Sequence, residues 1–124
     1  MLEKYNAEAK EKWGNTEAYA EYSEKTKDYT AEKRSNVAEG LDAIMADFAQ
    51  YMKEGYSPRG NEVQKLVGAL QEYITKTSYT CTKEILYGLG QMYVCDERFR
   101  SNIDRHGKGT ADYIRNAITD YCRK

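Results

Sequence analysis

Residues 3–36 contain no valine, isoleucine, leucine, methionine, phenylalanine or cysteine. The only large apolar side chains there are Tyr5, Trp13, Tyr19, Tyr22 and Tyr29. Such a segment buries too little aliphatic surface to offset the entropy of ordering it, so it cannot fold alone. Any core must come from the residues that follow, and the segment must lean on that core. It retains helical character. Tyr5, Ala9 and Trp13 recur at i, i+4 and i+8, and Tyr19, Tyr22 and Tyr29 share another face. Asn15 or Thr16 is a plausible cap between the two pieces. Two readings fit this composition equally: a helical arm that packs its rings on the core, or an aromatic lid that orders over a ligand.

From Thr30 onward the texture changes. Thr30 is placed to cap a long helix, along which Val37, Leu41, Ile44, Met45, Phe48 and Met52 form one apolar stripe. Gly55 is a natural stop. Ser57-Pro58 reads as an N-cap followed by proline at the first helical position. The next stripe is Val63, Leu66, Val67, Leu70, Tyr73 and Ile74. Ser78 or Thr80 is expected to start a further helix, with Ile85, Leu86, Leu89, Met92 and Tyr93 on its apolar side. Gly88 and Gly90 lie inside that helix, where each costs about 1 kcal/mol against alanine. They require a reason: close approach of a neighbouring helix, or room for a ligand beside Leu89 and Met92. Asp96-Glu97 marks another start, with Phe99 and Ile103 as an apolar pair at i,i+4. Gly107-Lys108-Gly109 is a turn, and a last helix from Thr110 carries Tyr113, Ile114, Ala117, Ile118 and Tyr121. Nothing alternates as a strand does. The expectation is an all-α single domain over residues 1–124, with an aromatic arm or lid at 1–29, less ordered when no ligand is bound, and a helical core at 30–124.

The run Leu89-Gly90-Gln91-Met92-Tyr93-Val94-Cys95-Asp96-Glu97-Arg98-Phe99, followed by Asn102-Ile103-Asp104, resembles the signature of the TipAS-type antibiotic-recognition domain. A second match is Lys12-Trp13-Gly14-Asn15-Thr16-Glu17-Ala18-Tyr19, with Thr26-Lys27-Asp28-Tyr29-Thr30 after it. In that family the domain is the C-terminal effector module of one branch of MerR-type transcriptional regulators. The resemblance covers nearly the whole chain in order. It implies a globin-like helical fold and function by recognition of a hydrophobic, ring-rich antibiotic or drug, not by catalysis. It also favours the lid over the passive arm, with binding coupled to ordering of the arm. The family's winged-helix DNA-binding domain and dimerising coiled coil are not among these 124 residues. The chain is thus either a piece of a longer regulator or a short form that sequesters drug. In thiopeptide-binding members, a cysteine seven residues after the position of Cys81 captures the ligand covalently. Gly88 stands there in this sequence, which points to reversible binding and leaves open a ligand of another compound class.

Charge and composition narrow the function further. Nineteen Lys and Arg balance twenty Asp and Glu, so no cationic surface suits nucleic acid, and DNA would be reached only through a separate winged-helix domain. No apolar run reaches the ~18 residues of a membrane span, and no signal peptide is visible. Cys81, Cys95 and Cys122 show no metal-ligand spacing, and an odd count suggests reduced thiols in the cytoplasm. No cofactor is called for. His106, the only histidine, sits beside Gly107 outside any apolar stripe, so a surface residue is expected, not a haem ligand. Cys81 near a helix N-terminus invites the idea of a nucleophile with a lowered pKa. No base lies close in sequence, and a quiet, half-buried thiol is the expectation. Asp96 and Glu97 diverge by about 100° on a helix, so they read as first-turn acids near Arg98 and Arg100. No catalytic set converges.

Twelve tyrosines against two phenylalanines suit a large, partly polar ligand, because tyrosine joins a flat apolar face to a polar tip. At least half of them, Tyr5, Tyr51 and Tyr121 in particular, are expected at helix boundaries on the surface. The candidate ligand-binding residues are Trp13, Tyr19, Tyr22 and Tyr29 from the arm, facing Leu86, Leu89, Met92, Tyr93 and Phe99 across an apolar cleft. Of these, Leu89 and Phe99 have a second reading as core, and Tyr22 has a second reading as solvent-facing. The expected partner is a small-molecule antibiotic or drug, and the isolated domain is expected to be a monomer. The rival function is a helical protein–protein adaptor that docks through the tyrosine-rich arm.

Overall fold

The computed structural model describes the backbone of residues 17–123 and the side chains of residues 20–123. The cap at Asn15 or Thr16, the Tyr5–Ala9–Trp13 stripe, and the side chains of Trp13 and Tyr19 lie outside the described residues. Those described form six helices and no strand: α1 Glu17–Thr26, α2 Ala31–Lys53, α3 Asn61–Thr77, α4 Lys83–Cys95, α5 Glu97–Asp104 and α6 Thr110–Cys122.

Helix starts follow side-chain chemistry. The Thr30 hydroxyl accepts from the Lys33 amide and opens α2, and the Asp96 carboxylate accepts from the Arg98 amide and opens α5. Two expected starts move. The fourth helix is capped by Thr82, whose side chain accepts from the Ile85 amide, so neither Ser78 nor Thr80 begins it. The third begins at Asn61 behind Gly60, not at Pro58. The Ser57 hydroxyl instead accepts from the Arg59 amide 3.2 Å away, and the Ser57 carbonyl accepts from the Gly60 amide, which closes a turn before the helix. Gly109, at a φ of 91°, supplies the left-handed residue that reverses the chain into α6.

The core is where the aliphatic stripes meet. Phe48 of α2, Val63, Val67 and Leu70 of α3, Leu86 of α4, and Ala111, Ile114, Ala117 and Ile118 of α6 are fully enclosed. Each large member contributes about 1.5–3 kcal/mol by leaving water. Helix α6 is the central element, packed against α2, α3, α4 and α5. Buried polarity is satisfied within this frame. The Gln64 amide nitrogen donates to the Pro58 and Ala117 carbonyls at 2.8 and 3.0 Å. Among the described residues, no buried side-chain nitrogen or oxygen lacks a hydrogen-bond partner.

Two surface expectations are corrected. Tyr51 and Tyr121 are partly buried against the core. The Tyr121 hydroxyl donates to Gln71 Oε1 at 2.9 Å, and its ring lies 5.5 Å from the Lys83 ammonium. Tyr56 and Tyr87 are the exposed tyrosines among the described residues. His106 is likewise no free surface histidine. Its side chain is 17% exposed and its Nε2 lies 2.9 Å from Asp42 Oδ1, because the turn after α5 folds back along α2. Arg105 approaches the same oxygen at 2.6 Å. Burial works against the Asp42 carboxylate, but hydrogen bonds from His106 and Arg105 outweigh it and hold its carboxyl below the usual range.

The glycines of α4 have different causes. A Cβ on Gly90 would meet Ile118 of α6 at 3.3 Å, so this position answers to close helix packing. A Cβ on Gly88 would meet no described atom within 4 Å. Gly88→Ala should therefore stabilise the domain by about 1 kcal/mol, the ordinary helix-propensity gain. Gly90→Leu should destabilise it by about 1–3 kcal/mol through overpacking. Urea melts of the two variants check the pair, and equal effects would contradict this assignment.

Candidate functional site

Helix α1 has few apolar residues, so polar groups fasten it. It lies against the C-terminal end of α3 and the 78–82 connection into α4. The last carbonyls of a helix have no partner inside it. Two of those on α3 are met from the α1 side. The Lys25 ammonium donates to the Thr75 carbonyl at 2.7 Å, and the Tyr29 hydroxyl donates to the Thr77 carbonyl at 3.0 Å. A cation there also suits the negative end of the α3 dipole. On the other flank, both oxygens of Glu21 accept from Thr80, one from its amide and one from its hydroxyl, each at 2.8 Å. These bonds hold the Glu21 carboxyl below its usual range. The joint between α1 and α2 is closed by Arg34, which donates to the Thr26 carbonyl at 3.0 Å.

This docking brings rings together. Tyr22 meets Tyr79 edge-on, with centroids 6.4 Å apart and planes at 70°. Tyr79 neighbours Cys81 and Tyr93, and burial, reinforced by these neighbours, pushes its phenol well above the usual range. Burial does the same for Tyr93, whose ring is tilted against Phe99 at 5.9 Å. The connection carrying Tyr79 and Cys81 is pinned to α3. The Cys81 amide donates to Thr75 Oγ1 at 3.0 Å, and its carbonyl accepts from Gln71 at 2.7 Å.

The proposed site residues thus separate into groups. Tyr22 and Tyr93 join one cluster through Tyr79 and Cys81. Tyr29 is turned to the end of α3, with the Lys33 ammonium 5.5 Å from its ring. Leu86 and Leu89 are buried in the core, while Met92 and Phe99 are partly buried against it. Ile85, Gly88, Met92 and Cys95 fall at helical spacing along α4 and keep partial or full exposure, with the notch of Gly88 at the middle. Tyr79 was missed by sequence reasoning, because it belongs to no helical stripe. Its one signal was an aromatic residue between two helices.

Cys81 is a quiet thiol, as expected, and more deeply buried than the half-buried position anticipated. It precedes the α4 cap and is 3% exposed. Burial, with the Cys122 thiol as a second influence, pushes its pKa up to about 11, so it is a poor nucleophile near neutrality. Asp96 takes a structural role, pairing with Arg98 at 2.8 Å, and Arg100 pairs with Asp112 at 3.0 Å. No group of three His, Cys, Asp or Glu among the described residues is placed to hold a metal ion. No helix among them is long and apolar enough to cross a membrane.

Comparison with known proteins identifies this arrangement. The family model of the TipAS antibiotic-recognition domain matches residues 5–121. The HTH-type transcriptional activator mta of Bacillus subtilis is 36% identical over 118 residues, which are 95% of this chain and 45% of that protein. The HTH-type transcriptional activator TipA of Streptomyces coelicolor is 35% identical over 116 residues, 94% of this chain and 46% of that protein. The chain therefore spans just under half the length of these curated relatives. Among solved structures, TipAS of Streptomyces lividans in complex with the thiopeptide antibiotic nosiheptide superposes with a TM-score of 0.86 at 33% identity, covering 99% of this chain and 86% of that one. The all-helical, globin-like architecture is common to both, and the chain belongs to the TipAS antibiotic-recognition domain family.

Proposed function

We propose that this domain senses antibiotics: it binds a hydrophobic, ring-rich compound of the thiopeptide class and acts as the effector half of a MerR-type transcriptional activator in the cytoplasm. The observation that carries this reading is the match of nearly the whole chain to a TipAS structure with nosiheptide bound. The relatives' roles as HTH-type activators support the regulatory half. The ligand lies over the half-exposed stripe of α4 around Gly88, between Ile85 and Met92, and against the Tyr22–Tyr79–Tyr93 cluster. Trp13 and Tyr19 supply further aromatic surface from the arm, and residues 1–29 act as the lid. Binding is its output, without catalysis, and the energy of binding is partly spent on ordering the arm. DNA contact belongs to a winged-helix domain outside this chain.

Binding should be reversible. Gly88 stands where the resemblance to thiopeptide-binding members implies a capturing cysteine, and Cys81 is buried with a raised pKa. Intact-mass spectrometry after incubation with nosiheptide should return the unmodified mass, and a stable adduct would contradict this reading.

Two substitutions separate ligand contact from core packing. Trp13→Ala should weaken nosiheptide binding by about 2 kcal/mol, roughly thirtyfold in Kd, while the melting transition of the core stays in place. Phe99→Ala should cost about 2–3 kcal/mol of stability, because it removes a ring packed on Tyr93 at the edge of the core. Titration calorimetry with parallel denaturant melts measures both. Full affinity in Trp13→Ala would remove the arm from the site.

A further inference from the structure

Helix α1 presents its one described aromatic side chain, Tyr22, to the cluster only if it is held at the α3–α4 corner. Its apolar surface is too small to do this alone: between Tyr22 and Tyr29 it offers no residue larger than threonine that is not charged or polar. The holding groups are few and identifiable. Glu21 sits one residue before Tyr22 and grips Thr80, which is one residue after Tyr79. The two hydrogen bonds therefore set the register of the Tyr22–Tyr79 ring pair directly. At the other end of the segment, the Tyr29 hydroxyl on the Thr77 carbonyl fixes where α1 must turn into α2. Neither group belongs to the aromatic cluster itself.

We infer that Glu21 and Tyr29 are positioning residues for the ligand: they clasp α1 to the α3–α4 corner, set Tyr22 against Tyr79, and so control affinity without touching the compound. The ligand half of this inference rests on the antibiotic-binding reading above. If only the docked form of α1 is competent to bind, the apparent affinity falls with the docked fraction.

The test is amide hydrogen exchange on the full chain, with calorimetric titration of nosiheptide, for the unsubstituted protein, Glu21→Ala, Glu21→Gln and Tyr29→Phe. Glu21→Ala should speed exchange across residues 17–26 roughly fivefold, as expected for losing exposed hydrogen bonds to a carboxylate. Exchange across 63–74 should not change, and nosiheptide affinity should fall by about threefold or more. Glu21→Gln should lie between the two, because its amide oxygen still accepts from Thr80. Tyr29→Phe keeps the ring and removes only the hydroxyl, and it should shift both readouts in the same direction. Unchanged exchange in both Glu21→Ala and Tyr29→Phe would overturn the clasp. Faster exchange with unchanged affinity would overturn its role in binding. Failure of the unsubstituted protein to bind nosiheptide would overturn the ligand reading, while the exchange data would still decide whether the clasp holds α1.

Discussion

The packing of α6 against α4 at Gly90 is the contact on which the rest of the domain depends. Ile118 reaches so close to the α4 backbone that a side chain at position 90 would press on it. That approach lets Ile114 and Ile118 be fully buried between α3 and α4, and it brings Leu86 and Leu89 into the same core. Interiors are close-packed, so bulk inserted at one point must be accommodated by movement of whole helices. Loss of this approach would shift α4 and, with it, the surface on which the proposed ligand rests.

The arm is held by different physics. Core helices are fastened by aliphatic surface; α1 is fastened by completing the hydrogen bonding of another helix's end. Carbonyls at the C-terminus of α3 need partners, and Lys25 and Tyr29 supply them. Part-buried bonds of this kind contribute modestly each, on the order of 1 kcal/mol. A segment held this way docks in a defined place yet detaches at small cost. That combination suits the lid role proposed for the arm, in which ligand contact would supply a decisive share of what keeps it closed.

Nucleophilic chemistry is absent from the cluster for a related reason. Tyr79, Cys81 and Tyr93 sit in surroundings that penalise their charged forms, so all three stay protonated near neutral pH. Cys81 and Tyr93 make these neutral contacts within the interior, and Tyr79 alone of the three keeps partial exposure.

Periodicity alone located the aliphatic stripes of α2, α3, α4 and α6, and side-chain chemistry alone located the cap at Thr30 and a helix start at Asp96-Glu97, where Asp96 proves to be the cap and not a first-turn acid, because such features are decided within a few residues of each other in the chain. The family was legible as well, since its signature lies largely in one stretch across α4 and α5, with a second match near the N-terminus. What tertiary structure decided are matters of distance between segments far apart in sequence. Ser78 and Thr80 have the chemistry of a cap, yet Thr82 starts α4: Ser78 closes α3, its amide donating to the Ile74 carbonyl, and Thr80 is engaged by Glu21 from α1. Gly88 and Gly90 look alike in the sequence, and only the position of Ile118 makes one a packing requirement and leaves the other open. Tyr79 has no periodicity to announce it and enters the candidate site solely because α1 lays Tyr22 across it. His106 carries no local sign of a partner, and it has one because the turn after α5 returns to Asp42 of α2. Local chemistry determines which helices form; which of their polar and aromatic groups meet is settled when the helices pack.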